Sequence, residues 1–294
     1  MRRSGAPQGE GLAERALNEL FDSIPPLTVV DVGAGFNGRP DYDRLLEGGD
    51  VTLLAFEPQT ALREALVAHY GESVDHRFHP DILGGGGPRT FHQTEFPFTA
   101  SLYRPDEARR APLGTVAEAG RLQAEYRVET RRLDDVPEAA AADLLTMDIQ
   151  GAELDVLRGA LGVLEARPVI QAEAFFVPLY ENMPLFADLD AFLRGRGYQF
   201  HFLDKISTRA FKPAWRPDDP GAGFRQMIHC DAIYVPDYLT LDAMPPDRLL
   251  KTARILHDLY RSIDFVRYVL ATHDRLTGSA LADPSMAAVC EGRV

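Results

Sequence analysis

The segment DVGAGFNG, Asp31 to Gly38, sets Gly33, Gly35 and Gly38 at G-x-G-x-x-G spacing directly behind the apolar run Leu27 to Val30. That spacing lets a backbone turn tightly and approach a nucleotide. Taken alone it serves NAD, FAD and other nucleoside ligands equally, and in dinucleotide enzymes the glycines face a pyrophosphate at a helix N-terminus. Asp31 tilts the reading. A carboxylate at the carboxyl end of that strand is electrostatically wrong for a pyrophosphate and suited to the cationic amino group and sulfonium of S-adenosylmethionine. Glu57 closes a second apolar run, Val51 to Phe56, where an acidic side chain can accept hydrogen bonds from both ribose hydroxyls. Asp81, beyond a third strand, is placed to accept a bond from an adenine amino group, with Ile82 on the ring; without the other two motifs, a solvated loop aspartate explains it as well.

The stretch DLLTMDIQGAELDVLRGA, Asp143 to Ala160, ends a buried strand in Asp148 and permits a turn at Gly151. Asp148 points into the crevice where open α/β sheets bind ligands. Glu153 falls in the first turn of the next helix, where interaction with the helix dipole, worth about 0.3–1 kcal/mol, accounts for it. Three residues are candidates for a general base: Asp148, Glu173 at the end of the strand Pro168 to Ala174, and His201 on the strand Tyr198 to Leu203. His201 has a competing reading as a satisfied crevice histidine, and Glu173 as a structural carboxylate paired to Arg or Lys. His76 and His79 form a close pair that a strand edge explains better than a metal. No metal site is indicated, although a divalent cation held by Asp148 with Glu173 is compatible with hard oxygen ligands.

These residues need a scaffold. Strands Leu27 to Val30, Val51 to Phe56 and Val74 to His79 alternate with helical spacing, as at Thr60 to Tyr70, which implies parallel βαβ units and a sheet covered on both faces. Gly84 to Thr130 breaks the rhythm and reads as a hairpin-like insertion. The alternation returns with a strand at Asp143 to Asp148, a helix at Ala152 to Glu165, a further strand, a helix at Leu185 to Arg196, and closing strands Tyr198 to Leu203 and Cys230 to Val235. Between those two, Lys205 to Gln226 is a long loop rich in Pro, Gly, Arg and Lys, the length of a lid. Leu249, Ala253, Leu256, Tyr260, Ile263 and Leu270 fall on one helical face in Pro246 to Leu270, suited to packing on the domain or on a second copy. The expected organisation is an N-terminal helical segment (1–26), one α/β catalytic domain (27–240) and a C-terminal helical extension (241–294), with a homodimer through that last helix a reasonable arrangement.

The 294 residues carry 31 Lys and Arg against 44 Asp and Glu, a formal net charge of −13. That balance argues against a nucleic-acid partner and an anionic membrane surface. No stretch approaches the length of a membrane span, no secretory signal is evident, and two cysteines fit neither a disulfide framework nor a metal pair. A cytoplasmic location and a small-molecule or glycan ligand are expected.

Taken together, DVGAGFNG, AFEP (Ala55 to Pro58), TASLY (Thr99 to Tyr103), RRLDDV (Arg131 to Val136), DLLTMDIQGAELDVLRGA and CDAIYV (Cys230 to Val235) resemble, in order and spacing, the FkbM-type family of S-adenosylmethionine-dependent methyltransferases. The resemblance covers about Leu27 to Val235. It implies a Rossmann-like class I methyltransferase fold, mainly parallel with a closing antiparallel strand, and transfer of a methyl group to a hydroxyl of a sugar, glycan or secondary metabolite. By position it implies that Asp31, Gly33, Gly35, Asn37, Glu57, Pro58, Asp81 and Ile82 hold the cofactor and that Asp148 lies beside its methionine end. Gly35 stands where the family usually has Asn, and Thr146 where a lysine is common. Two other readings stay open: an NAD-dependent oxidoreductase or epimerase, disfavoured by Asp31 and by the lack of a Tyr-x-x-x-Lys pair, and a non-catalytic nucleoside-binding protein on the same scaffold.

Overall fold

Near-continuous apolar runs make strands that are covered on both faces, and Leu27–Val32 and Val51–Phe56 form β1 and β2 in this way, each with five of six residues buried. The computed structural model describes residues 24–35, 40–47, 51–214 and 223–282, with Phe21, Arg216 and Asp219. The expected N-terminal helix apart from Phe21, and the residues Asn37, Gly38, Trp215 and Cys290, lie outside the described residues.

The remaining strands are β3 (His76–His79), β4 (Ile82–Leu83), β5 (Gly87–Thr94), β6 (Leu122–Arg131), β7 (Leu144–Met147), β8 (Val169–Phe175), β9 (Tyr198–Thr208) and β10 (Met227–Pro236). Seven of them make one sheet in the order β3-β2-β1-β7-β8-β10-β9. Pairing is parallel from β3 through β8, and β10 runs antiparallel to both its neighbours. The architecture is therefore α/β, Rossmann-like and mostly parallel. From β1 the chain first steps outward to β2 and β3, then crosses to β7 and continues the other way. That reversal between β1 and β7 is where the carboxyl ends of such a sheet leave a crevice.

Helices α1 (Asp43–Glu47), α2 (Thr60–Tyr70) and α8 (Pro246–Asp258) cover one face through Leu45, Leu66 and Ile255. On the other face lie α5 (Glu153–Arg158), α6 (Leu161–Glu165) and α7 (Phe186–Arg194), through Leu157, Leu164 and Leu193. The short α3 (Glu107–Arg110) and α4 (Val116–Ala119) belong to the insertion, and α9 (Ile263–Thr277) closes the described chain. No helix among the described residues is long and apolar enough to cross a membrane.

Several elements differ from expectation. The insertion is a second sheet, β4-β6-β5, rather than a lone hairpin, because β4 adds in parallel to β6 at Ile82 and Leu83. The single helix expected over Ala152 to Glu165 is two, broken at Gly159 and Ala160. Pro246 to Leu270 likewise divides into α8 and α9, at a turn where Arg261 takes φ +51°. Strand β9 runs on to Thr208, so Lys205 belongs to the sheet and the connection to β10 is shorter than the expected loop. The apolar stripe of the C-terminal helices is covered from within: Leu249, Ala253, Leu256 and Leu270 are buried together with Val235 and Leu241. Of the two uses expected for that stripe, these contacts are packing on the domain.

One buried carboxylate fastens α8 to the sheet. Asp143 Oδ2 accepts the Thr28 N–H at 2.8 Å and lies 2.9 Å from Lys251 Nζ, while Oδ1 pairs with Arg248. Removing one partner of a buried charged group leaves the others desolvated without compensation. Asp143→Ala should therefore lower unfolding stability by about 3 kcal/mol; an unchanged urea midpoint would show that the clamp contributes nothing.

Candidate functional site

The parallel ladders bring three chain reversals to one rim. Val32, Phe56 and Met147 lie side by side in register. Beyond them the Gly33 N–H donates to Phe56 O at 2.9 Å, the Asp148 N–H to Val32 O at 3.0 Å, and the Glu57 N–H to His79 O at 3.0 Å. Gly33 has φ +81°, and a Cβ there would sit 2.1 Å from the Asp148 carbonyl oxygen, so only glycine lets β1 turn beneath Asp148. At Gly35 a Cβ would stand 3.0 Å from the Phe98 ring and 3.1 Å from Glu57 Oε2. The missing side chain keeps the space between Glu57 and Phe98 clear.

A pocket opens over this turn. Glu57, Asp81 and Asp148 give it a polar side, and Phe56, Leu62, Ile82, Phe91 and Phe98 an apolar wall. Pro58, Gly33 and Gly35 line it as well. Glu57 is buried, its Oε1 accepting the Gln59 N–H at 2.7 Å. Burial raises its pKa, against the lowering effects of that N–H and of Arg63. Asp81 is shared: Arg131 Nη1 lies 3.2 Å from its Oδ2, so an adenine amino group there has a competitor. Among the described residues no Lys, Arg or His lines this pocket.

A second, polar cavity adjoins the first through Gly33, Gly35 and Asp148. Asp31, Asp41, Gln171, Asp231 and Lys205 line it. Tyr42 donates to Asp31 Oδ2 at 2.6 Å. Gln171 Nε2 donates to Asp231 at 2.8 Å and Asp41 at 3.1 Å, while Tyr260 donates to Gln171 Oε1 at 2.7 Å. Lys205 Nζ is 2.5 Å from Asp41 and 3.3 Å from Asp231. Burial pushes Asp31 up to about 7, opposed by the Tyr42 hydrogen bond and reinforced by the charges of Asp148 and Glu57.

Asp148 and Glu173 are brought together by a residue the motifs did not single out. Gln150 Nε2 donates to Asp148 Oδ1 at 2.9 Å and to Glu173 Oε2 at 2.7 Å. Gln150 takes φ +58°, is held through its carbonyl by Ser101 Oγ at 2.8 Å, and its Oε1 lies 2.9 Å from the Tyr180 hydroxyl. Arg110 sits 4.5 Å over the Tyr180 ring. The TASLY segment thus braces the amide that joins the two carboxyl groups. Among the described residues no Lys or Arg pairs with Glu173; its Oε1 is 2.9 Å from Nδ1 of His229, also missed. Burial and the nearby Asp148 charge push the Glu173 carboxyl well above the carboxylate range. Glu153 does more than meet a helix dipole: its Oε1 accepts the Ile149 N–H at 2.9 Å and fixes the turn after β7.

His201 is a correction. Its Nε2 lies 2.6 Å from Ser262 Oγ and its ring tilts against Phe265, so it packs between β9 and α9 and lines neither cavity. His79 stacks on Phe56 with ring centroids 4.8 Å apart. Among the described residues no three His, Cys, Asp or Glu side chains gather as a metal site. Asn37 falls outside the described residues.

The raised Asp31 carboxyl has a consequence for stability. The folded chain holds this proton up to about pH 7 whereas the unfolded chain, with the ordinary value of 3.8, releases it earlier. The contribution favouring the fold is complete below the unfolded value and is lost as pH rises through the folded one. Asp31→Asn should therefore melt higher than wild type above pH 7, with the advantage shrinking as the pH falls to about 4. Parallel melting curves for the two proteins across that range would contradict the assigned burial.

The methyltransferase FkbM domain model matches residues 31–200, more than half of the chain. NoeI, a 2-O-methyltransferase of Sinorhizobium fredii, is 31% identical over 184 residues, which are 60% of this chain and 74% of that protein. Among solved structures, precorrin-6y C5,15-methyltransferase from Geobacter metallireducens is similar at 12% identity over 76% of this chain and 87% of its own, with a TM-score of 0.35. TYW2 of M. jannaschii, in complex with AdoMet, is 14% identical over 78% of each chain, with a TM-score of 0.34. Superpositions this loose carry no argument about the site, and the family assignment rests on the first two similarities. By the domain match and by NoeI, this chain belongs to the FkbM methyltransferase family.

Proposed function

We propose that the protein is an S-adenosylmethionine-dependent O-methyltransferase whose acceptor is a hydroxyl of a sugar, glycan or secondary metabolite. The observation that carries the reading is the distribution of charge around the glycine turn. Glu57 and Asp148 face the first pocket and Asp31 the second, with Gly33 and Gly35 shared between them. A ligand that is cationic at one end and carries an aromatic base at the other suits such a site. S-adenosylmethionine, when bound, supplies a methyl group on a positively charged sulfur that leaves with its bonding electron pair.

The residues present fit that ligand. Glu57 Oε2, which faces the space kept clear at Gly35, can take a ribose hydroxyl, while Ile82, Leu62 and Phe98 offer apolar contact for a base. Asp31 and Asp148 offer carboxyl oxygens to an ammonium and a sulfonium, and Asp31 adds opposite charge above about pH 7. The pyrophosphate of a dinucleotide would meet Glu57, Asp81 and Asp148 in the first pocket with no basic residue among its described lining, which speaks against the oxidoreductase reading. NoeI is by its name a 2-O-methyltransferase, and that supports oxygen as the atom methylated. The net charge of −13 favours an acceptor that is not polyanionic.

What the chain contributes to catalysis is chiefly position, because an in-line displacement needs the attacking oxygen held about 3 Å from the carbon. Gln150 fixes the separation of Asp148 and Glu173 beside the glycine turn, and Asp148 can orient a hydroxyl there. Saturating S-adenosylhomocysteine should raise the melting temperature, by the equivalent of about 2.7 kcal/mol at a hundredfold excess over Kd, while NADH should not. Glu57→Ala should abolish that shift. The wild-type protein incubated with S-adenosylmethionine and a panel of hydroxylated sugars and glycans should give a one-methyl mass gain on oxygen. Stabilisation by NADH alone, or a methyl found only on nitrogen, would overturn the proposal.

A further inference from the structure

His229 lies on β10, two residues before Asp231, in register with Phe175 of β8, while Asp231 faces Glu173. Because side chains alternate along strands, Gln171 and Glu173 of β8 and Asp231 and His229 of β10 share one face of the sheet. Gln171 and Asp231 line the polar cavity, and Glu173 and His229 lie one step further out along the same face. The β9–β10 register shifts on both sides of His229, between Met227 and His229 and again between His229 and Asp231. Bulges of this kind re-aim a side chain and recur beside active sites.

The surroundings define what the imidazole can do. Nδ1 is 2.9 Å from Glu173 Oε1, and Glu173 is only 4% exposed. The other oxygen of Glu173 is held by the Gln150 amide that also holds Asp148, so the ring is joined to the rim of the first pocket through a fixed chain of contacts. The His229 side chain is 30% exposed, so part of the ring is open to solvent. Phe175 packs against it, ring centroids 5.4 Å apart. Four charged or titratable groups face the ring: Glu173 from β8, Asp148 from the end of β7, Asp231 from β10 itself, and Arg209 from the segment after β9.

We propose that His229 takes the proton of the acceptor hydroxyl on Nε2, and that Glu173 is the positioning residue that keeps the other ring proton on Nδ1. The inference rests on the O-methyltransferase reading above. In the step, the acceptor O–H bond breaks with its electron pair staying on oxygen, the oxygen forms the new bond to the methyl carbon, the carbon–sulfur pair stays on sulfur, and the proton goes to Nε2. It leaves to solvent through the exposed part of the ring. The electrostatics agree with this direction of transfer. Burial lowers the imidazole's pKa from its ordinary value, and Asp148 and Asp231 favour the imidazolium once formed, against the opposing charge of Arg209. Glu173 can accept the Nδ1 proton through Oε1 whether or not it carries a proton on its other oxygen.

Two measurements test this. In the full-length protein labelled with ¹⁵N-histidine, the His229 resonance, assigned from its loss in His229→Gln, should report a neutral ring protonated on Nδ1 at pH 7.5. Glu173→Leu should shift that ring toward the Nε2-protonated form. With a hydroxyl acceptor, His229→Gln should lower kcat by about 100-fold or more, leave S-adenosylhomocysteine affinity within about twofold, and remove the acidic limb of the pH profile. A His229 ring protonated on Nε2 in the wild type, or turnover by His229→Gln within about threefold of wild type, would overturn the role of His229 and leave the methyltransferase reading intact. Absence of any S-adenosylhomocysteine binding by the wild type would instead remove that reading, and the inference with it.

Discussion

Six carboxyl groups, Asp31, Glu57, Asp148, Glu153, Glu173 and Asp231, crowd the carboxyl end of one sheet, and the charges of neighbouring carboxylates raise the pKa of Asp31, Glu153, Glu173 and Asp231. Burial raises those four further and raises Glu57 as well, while Asp148 is exposed. The rest of the site can be understood as the means by which this crowding is tolerated. Neutral donors do most of it: Tyr42 on Asp31, the Gln59 N–H on Glu57, Gln150 on Asp148 and Glu173, and Gln171 on Asp231. Lys205 is the one cation brought into the polar cavity among the described residues, and it is held by Asp41 and Asp231. Charge in this cluster is thus held down by burial, and its carboxyl oxygens are met by neutral donors more than by basic side chains.

The parallel strands supply the geometry that makes such crowding possible. Asp31 is in register with both Ala55 and Thr146, so the turns after β1, β2 and β7 emerge at one level. Two chambers then form on either flank of the Gly33–Gly35 turn, one with an apolar wall and one lined mainly by polar groups. Asp148 borders both. Thr146, where a lysine is common in the family, lines the polar chamber, and that places one departure from the family pattern on the flank away from the apolar wall.

Much of this was legible in the sequence, for a physical reason. Glycine spacing and long apolar runs are local signals, and local signals fix where a parallel strand ends and how the chain turns beyond it. Asp31, Glu57 and Asp148 could be placed on one rim from those signals alone. The features that local signals do not reach depend on distant parts of the chain. Gln150 stands in plain view between Asp148 and Gly151, but its position is set by a left-handed backbone and by Ser101 and Tyr180, neither of them near in sequence. His229 immediately precedes the CDAIYV segment, yet its direction depends on bulges that no local pattern announces. His201 is misplaced by its pattern because its strand is at the sheet edge, where α9 rather than the crevice lies against it. The split of the C-terminal helical run at Leu259 to Ser262 is hidden because the apolar stripe continues across it.

The irregular pairing of β9 with β10 reaches beyond the chemistry. Strand β9 is an outer strand of eleven residues, with no strand on its other side among the described residues. A flat strand of that length presents unpaired N–H and C=O groups on which another chain can add, and such edges are the usual starting points of intermolecular pairing. The displaced register bends and twists the end of β9 near Lys205 to Thr208, and Lys205 takes φ +46° there. The irregularity beside His229 on β10 thus also makes this end of its neighbour a poorer template for a further strand than a flat edge would be.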